Sequence, residues 1–134
     1  MQMKPALGIA EANRILEAAR DEAQRNGWAV AIAVVDDGGH PIALARLDGT
    51  APVSAYMAQE KARTAALGRR ESKLYEDMIN GGRTAFLSAP LVATLEGGVP
   101  VIVDGQVAGA VGVSGVKSDQ DAQIAKAGVR SIAA

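Results

Sequence analysis

The stretch WAVAIAVVDDGGHPIALARL, residues 28–47, decides the fold. Its first eight residues, Trp28 to Val35, form a continuous apolar run with β-branched side chains, the pattern of a central strand buried on both faces. Asp36-Asp37-Gly38-Gly39 supplies residues that tolerate positive φ, and Pro41 to Leu47 resumes an extended pattern, so the stretch predicts an antiparallel hairpin. A second hairpin is predicted where VPVIV (99–103) and QVAGAVGV (106–113) flank Asp104-Gly105, a type I′ turn signal.

Helices are predicted around these hairpins. From Leu7 to Asn26 apolar residues recur at Ala12, Ile15, Leu16, Ala19 and Ala23, a helical stripe that Gly27 closes. Thr50 as N-cap and Pro52 near the first turn open a second helix running to about Gly68. Its inner stripe is expected at Val53, Met57 and Thr64, with Glu60 and Lys61 near the same face. A shorter helix spans Ser72 to Asn80 and stops at Gly81-Gly82. Residues 83–98 read as little more than one short extended piece. Ser118-x-x-Asp121 resembles a capping box before a last helix carrying Ala122, Ala125, Val129 and Ile132. The order α-β-β-α-(α)-β-β-α implies an α+β fold, an antiparallel sheet flanked by helices, and argues against a doubly wound parallel sheet.

The chain has 134 residues, 49% of them hydrophobic and 22% charged, with no cysteine. It is read as one domain over residues 1–134, large enough to bury a core without disulfides. Without cysteine there is no thiol catalysis and no thiolate metal site. Fourteen basic against fifteen acidic side chains leave no excess to displace counterions from a nucleic-acid backbone, so nucleic acid is not an expected partner. Charges interrupt every apolar stretch of the amino-terminal segment, which reads as the start of a cytoplasmic protein. The longest apolar run stops well short of the ~20 residues of a membrane span, and no membrane association is expected. Abundant Ala and Gly predict thin layers, with some apolar surface buried between subunits.

The glycines Gly109, Gly112 and Gly115 are followed by no Gly-Lys-Ser/Thr, so they read as positions where a helix or neighbouring subunit closely approaches a strand. Gly112-Val113-Ser114-Gly115 misses the G-x-S-x-G elbow by one residue. His40 is the sole histidine, which excludes a multi-histidine zinc site. A single imidazole can still ligate haem iron, act as a general base, or do nothing more than face solvent at a turn. Glu60-Lys61-Ala62-Arg63-Thr64 puts charges and a hydroxyl where amphipathic patterning calls for apolar residues. Chemically, a desolvated Lys61 could be a base and a guanidinium could hold a carboxylate. Structurally, Lys61 or Arg63 could pair with Asp36, Asp48 or a neighbouring subunit's acid. Arg46, beside Asp48, presents the same choice.

The series VVDDGGHPIALARLDG (34–49), QEKARTA (59–65), LSAP (87–90), GGVPV (97–101) and GAVGVSGVKSDQD (109–121) resembles the GlcG/HbpS family, which includes the C-terminal domain of PduO-type proteins. The resemblance covers nearly the whole chain. It implies a profilin-like sandwich with a five-stranded antiparallel sheet, and homo-oligomers, often octamers. Family members are called haem-binding or haem-degrading, and some belong to catabolic operons. By position, His40 matches the histidine after the Gly-Gly turn, Lys61, Arg63 and Thr64 match the Lys-Ala-x-Thr-Ala helix, and Gly98 and Pro100 match the Gly-Gly-x-Pro turn.

Three functions are therefore expected to compete. In the first, an oligomeric small-molecule binding protein takes haem or a related tetrapyrrole. His40 is then the iron ligand, Lys61 and Arg63 pair with propionates, and Val53, Met57 and Leu91 cover the ring, with Asp36, Arg46 and Thr64 also among the ligand-binding residues. In the second, a cofactor-free isomerase, tautomerase or hydro-lyase acts on a small carboxylated or cyclic metabolite. Glu60 or Lys61 is its base, Arg46 or Arg63 the carboxylate clamp and Thr64 a hydrogen-bond donor. In the third, the chain is a structural accessory subunit.

Overall fold

The computed structural model describes residues 1–132; residues 133–134, the last two of the expected domain, lie outside the described residues. The element order is α1 (Ile9–Arg25), β1 (Ala31–Asp36), β2 (Pro41–Arg46), α2 (Val53–Gly68), α3 (Lys73–Asn80), a 3-10 turn (Thr84–Ser88), β3 (Gly98–Val103), β4 (Gln106–Ser114) and α4 (Ser118–Arg130). Both predicted hairpins form, and they join through their first and last strands into an antiparallel sheet of order β2-β1-β4-β3. β1 is thus central, and Ala31 to Val34 have no exposed surface.

The sheet has helices on both faces. On one, Ile32, Val34, Val101, Val111 and Val113 meet Ile15 and Ala19 of α1 and Ile124 and Ala125 of α4. On the other, Ala31, Ala33, Val35 and Ala110 meet Ala58, Ala62, Ala65 and Ala66 of α2. This second layer is almost all alanine and glycine, so α2 lies very close to the strands. A Cβ on Gly112 would collide with the Ala58 carbonyl and the Ala62 amide, and one on Gly98, opposite Gly112 in register, would strike the Lys61 carbonyl. The close approach expected of the glycine series is therefore made by α2 at Gly112. At Gly109 it is made by Leu7.

The sheet has four strands, not five. Residues 84–96, where the extended piece was expected, instead form the 3-10 turn followed by irregular backbone. Side chains, not a neighbouring strand, occupy carbonyls of this segment: Thr64 Oγ1 donates to Ala93 O at 2.7 Å and Ser72 Oγ to Leu95 O at 2.5 Å. The β3 edge also carries Pro100, which has no N–H to offer a further strand.

Three local expectations are corrected as well. α2 begins at Val53 with Pro52 at its N-cap position, and the Thr50 hydroxyl is buried without a partner instead of capping the helix. The buried face of α2 is Ser54, Ala58, Lys61, Ala62, Thr64, Ala65 and Ala66, so Thr64 lies inward as expected, while Val53 is 60% exposed and Met57 partly exposed, because alanines make the contact with the sheet. Ser118 lies inside α4; Gln120 Oε1 accepts from the Lys117 N–H, and Asp121 turns inward. Among the described residues no helix is long and apolar enough to cross a membrane.

Candidate functional site

The β1–β2 turn is built around Asp36. Its Oδ1 accepts hydrogen bonds from the backbone N–H groups of Gly38 and His40, each at 2.9 Å, the geometry of an Asx turn. His40 Nδ1 approaches the same carboxylate at 3.0 and 3.1 Å. Burial opposes ionisation of Asp36, but the bonds from His40 and Gly38 outweigh it and hold the carboxyl below its usual range. An ionised carboxylate can only accept, so Nδ1 carries the proton and donates. The imidazole is thereby fixed in one tautomer, with Nε2 left toward solvent on a side chain that is 79% exposed. Gly38 is needed for this fold-back, since a Cβ there would lie 2.9 Å from His40 Cε1.

Across the turn runs Arg63. A Cβ on Gly39 would fall 2.8 Å from Arg63 Cγ, so the arginine stem packs on the turn that presents His40. Arg63 Nη1 stands 3.9 Å from Glu60 Oε1, and the two line a cleft of about 220 Å³ with Thr64, Leu67, Leu91 and Val92. A second cleft, of about 180 Å³, continues along α2 past Glu60 and Val92 to Val53, Tyr56 and Met57. Glu60 Oε2 is buried there with no hydrogen-bond partner. Thr64 is buried and has given its hydroxyl proton to Ala93 O, so toward the cleft it can only accept.

The structure thus gathers Asp36, His40 and Arg63 at the turn, and Glu60, Arg63 and Thr64 along the outer side of α2. Two expected site residues lie elsewhere. Arg46 is at the far end of β2, paired with Ala31 and roughly 17 Å along the strand from the turn, in an open depression with Trp28 and Asp48. Lys61 leaves α2 on the opposite side and crosses the end of the sheet. Its Nζ donates to Val113 O and to Asp121 Oδ2 of α4, both at 3.0 Å, and the two charged side chains are 4% and 3% exposed. Its partner is therefore neither Asp36 nor Asp48. Burial pushes the Asp121 carboxyl up, against the pull of Lys61 and of the Val116 N–H that Oδ1 accepts.

Sequence reasoning missed Asp121 because a Ser-x-x-Asp spacing also fits a capping box. It also missed Asp37, which receives Lys4 Nζ at 2.6 Å and the Arg69 guanidinium. No local pattern marks those contacts, which join positions more than thirty apart in the chain.

The turn, the Lys-Ala-x-Thr-Ala helix and the glycine-lined strands sit together on a fold shared by known proteins. Over residues 7–130 the chain matches the family described as haem degrading protein HbpS-like. It is 62% identical over 114 residues to Protein GlcG of Escherichia coli strain K12, covering 85% of each chain. A double mutant of Streptomyces reticuli HbpS superposes with a TM-score of 0.89 at 30% identity, over 98% of this chain and 90% of that one. A PduOC:haem complex superposes with a TM-score of 0.84 at 28% identity, over 95% of each. A family match over residues 7–130, a span that includes the turn, the helix and the strands described above, together with 62% identity to a GlcG protein, establishes that the chain belongs to the GlcG/HbpS family.

Proposed function

We propose that this chain is a haem-binding protein in which His40 would hold the iron and which works as a homo-oligomer. The observation that carries this reading is the Asp36–His40 pair. Iron-ligating histidines as a rule donate their other ring N–H to a carboxylate or carbonyl, which fixes the tautomer and raises ligand basicity. His40 has that arrangement, with Nδ1 on Asp36 and Nε2 toward solvent. Arg63, packed across the same turn, is placed to pair with a propionate. The exposed Leu67 and Val92 and the partly exposed Leu91 offer apolar contact to a ring. When bound, haem supplies an iron centre for ligand uptake or electron transfer; the chain's own part is to hold and orient that group and keep water from one face of it. Likeness to the PduOC:haem complex supports the choice of ligand.

A cleft of about 220 Å³ falls below the ~300 Å³ at which small-molecule pockets begin, so one chain alone does not enclose a porphyrin. The exposed Val53, Tyr56, Leu67, Val92 and Leu95 around the two clefts supply apolar surface for a second copy to cover the remaining face. Titrating the protein with haemin is expected to shift the Soret band and saturate at one haem per chain. In His40→Ala the affinity should fall at least about tenfold and the histidine-ligated spectrum should vanish. An unchanged titration removes His40 as ligand.

A second reading, cofactor-free proton transfer, draws on the partnerless Glu60 Oε2 beside Arg63. In it Glu60 is the base and Arg63 holds a carboxylate, while Lys61, locked onto Asp121, stands outside the cleft.

A further inference from the structure

The carboxyl end of α2 closes on an arginine in a glycine conformation. Arg69 is the C-cap residue with φ 57° and ψ 35°, in the left-handed region where side chains other than glycine are disfavoured. The neighbouring Gly68 stays helical as the last residue of α2, its missing Cβ leaving room for the Tyr75 ring and hydroxyl. The Arg69 side chain then returns to the β1–β2 turn. Nη1 donates to Asp37 O at 2.5 Å and to Ala66 O at 3.0 Å, and Nη2 lies 3.8 Å from Asp37 Oδ2. Lys4 Nζ donates to that same Oδ2 at 2.6 Å. The hydrogen bond from Lys4, with the charges of Lys4 and Arg69, holds the Asp37 carboxyl below its usual range despite some burial.

Asp37 is therefore clamped by two cations, and it directly follows the residue that holds His40. The turn is held from within by its bonds to Asp36, but Gly38 and Gly39 leave the backbone on the Asp37 side with wide conformational freedom. Its Asp36 end belongs to β1; from α2 the Arg63 stem packs on Gly39, and from the end of that helix Arg69 hydrogen-bonds Asp37. We infer that Arg69 is a positioning residue for His40: by gripping the backbone and carboxylate of Asp37 it fixes the turn in which Asp36 orients the imidazole. The consequence for haem rests on the proposed role of His40, whereas the consequence for the imidazole does not.

Arg69→Gly separates positioning from structural support, since it removes the guanidinium while giving the left-handed position its preferred residue. Because His40 is the only histidine, long-range ¹⁵N–¹H spectra of the haem-free protein at about pH 8.5 read its tautomer without ambiguity. The native protein is expected to show the Nδ1–H form. In Arg69→Gly the population should move toward Nε2–H, haemin should bind about tenfold more weakly, and Arg69→Lys should restore part of both. A variant that keeps the native tautomer, even if its unfolding midpoint moves, overturns the inference. A tautomer shift in Arg69→Gly alongside a haemin titration that neither it nor His40→Ala alters would uphold the positioning role and sink the haem reading instead.

Discussion

Replacing Lys61 by methionine is expected to lower the stability of the fold by about 3–5 kcal/mol, the usual consequence of leaving one member of a buried ion pair without its partner. Lys61 and Asp121 are nearly inaccessible, and the ammonium also holds the Val113 carbonyl where β4 ends. With Lys61 gone, Asp121 keeps its burial and the backbone N–H groups of Val116 and Gly115, but no cation. Its carboxyl, already above its ordinary range, should rise further. An acid whose folded-state value is raised disfavours folding above the unfolded carboxylate range and ceases to do so below it. The deficit of Lys61→Met should therefore be largest at neutral pH and shrink as the pH falls toward about 4. Urea unfolding at pH 7 and pH 4.5 measures both quantities. The double variant Lys61→Met/Asp121→Leu should recover more than half of the loss, because an apolar pair of similar volume leaves no charge uncompensated. A double variant as unstable as the single one would show that the charge pair is not what Lys61 contributes.

The second large effect is expected at Gly112. Valine suits a strand by intrinsic preference, yet Gly112→Val should cost at least about 3 kcal/mol. The side chain would have to enter the space held by the Ala58 carbonyl and Ala62 amide, which are backbone of α2 and cannot turn aside as a flexible side chain could. Gly105→Ala makes the comparison informative. Gly105, unlike Gly112, has positive φ, at +74°, but nothing lies within 4 Å of an added Cβ, so only the local strain of about 1–2 kcal/mol applies. Urea midpoints of the two variants should differ in that order. A Gly112→Val protein as stable as Gly105→Ala would mean that α2 can ride away from the sheet and that the thin alanine layer is not a tight constraint.

What was legible in the sequence follows the range of the interactions. Asp104-Gly105 and Asp36-Asp37-Gly38-Gly39 act within a few residues, and both hairpins form where they are read. The alanines of α2 and the glycines of β4 are complementary features, so a close helix–strand layer could be anticipated from either. The fifth strand was carried by family resemblance, and the side chains of Thr64 and Ser72, each more than twenty residues away, claim the carbonyls that a ladder would have used. Within the candidate site, His40 and Asp36 are four residues apart and their turn is a local signal. Lys61 and Asp121 are sixty apart, and the polar cluster on α2 divides between two sides of the helix in a way that composition alone does not reveal. Arg69 was invisible for a further reason. The left-handed position after a helix favours glycine, yet α2 keeps Gly68 as its last residue beside Tyr75 and puts Arg69 there.

The most direct test of the account is to label the protein with ¹⁵N-histidine, add haemin, and record pulsed EPR spectra of the ferric complex. His40 is the only histidine in the chain, so any ¹⁵N coupling to the iron identifies it. The account predicts the hyperfine coupling of a directly bound imidazole nitrogen. A haemin complex with no ¹⁵N coupling would place the iron away from His40 and contradict the proposed site.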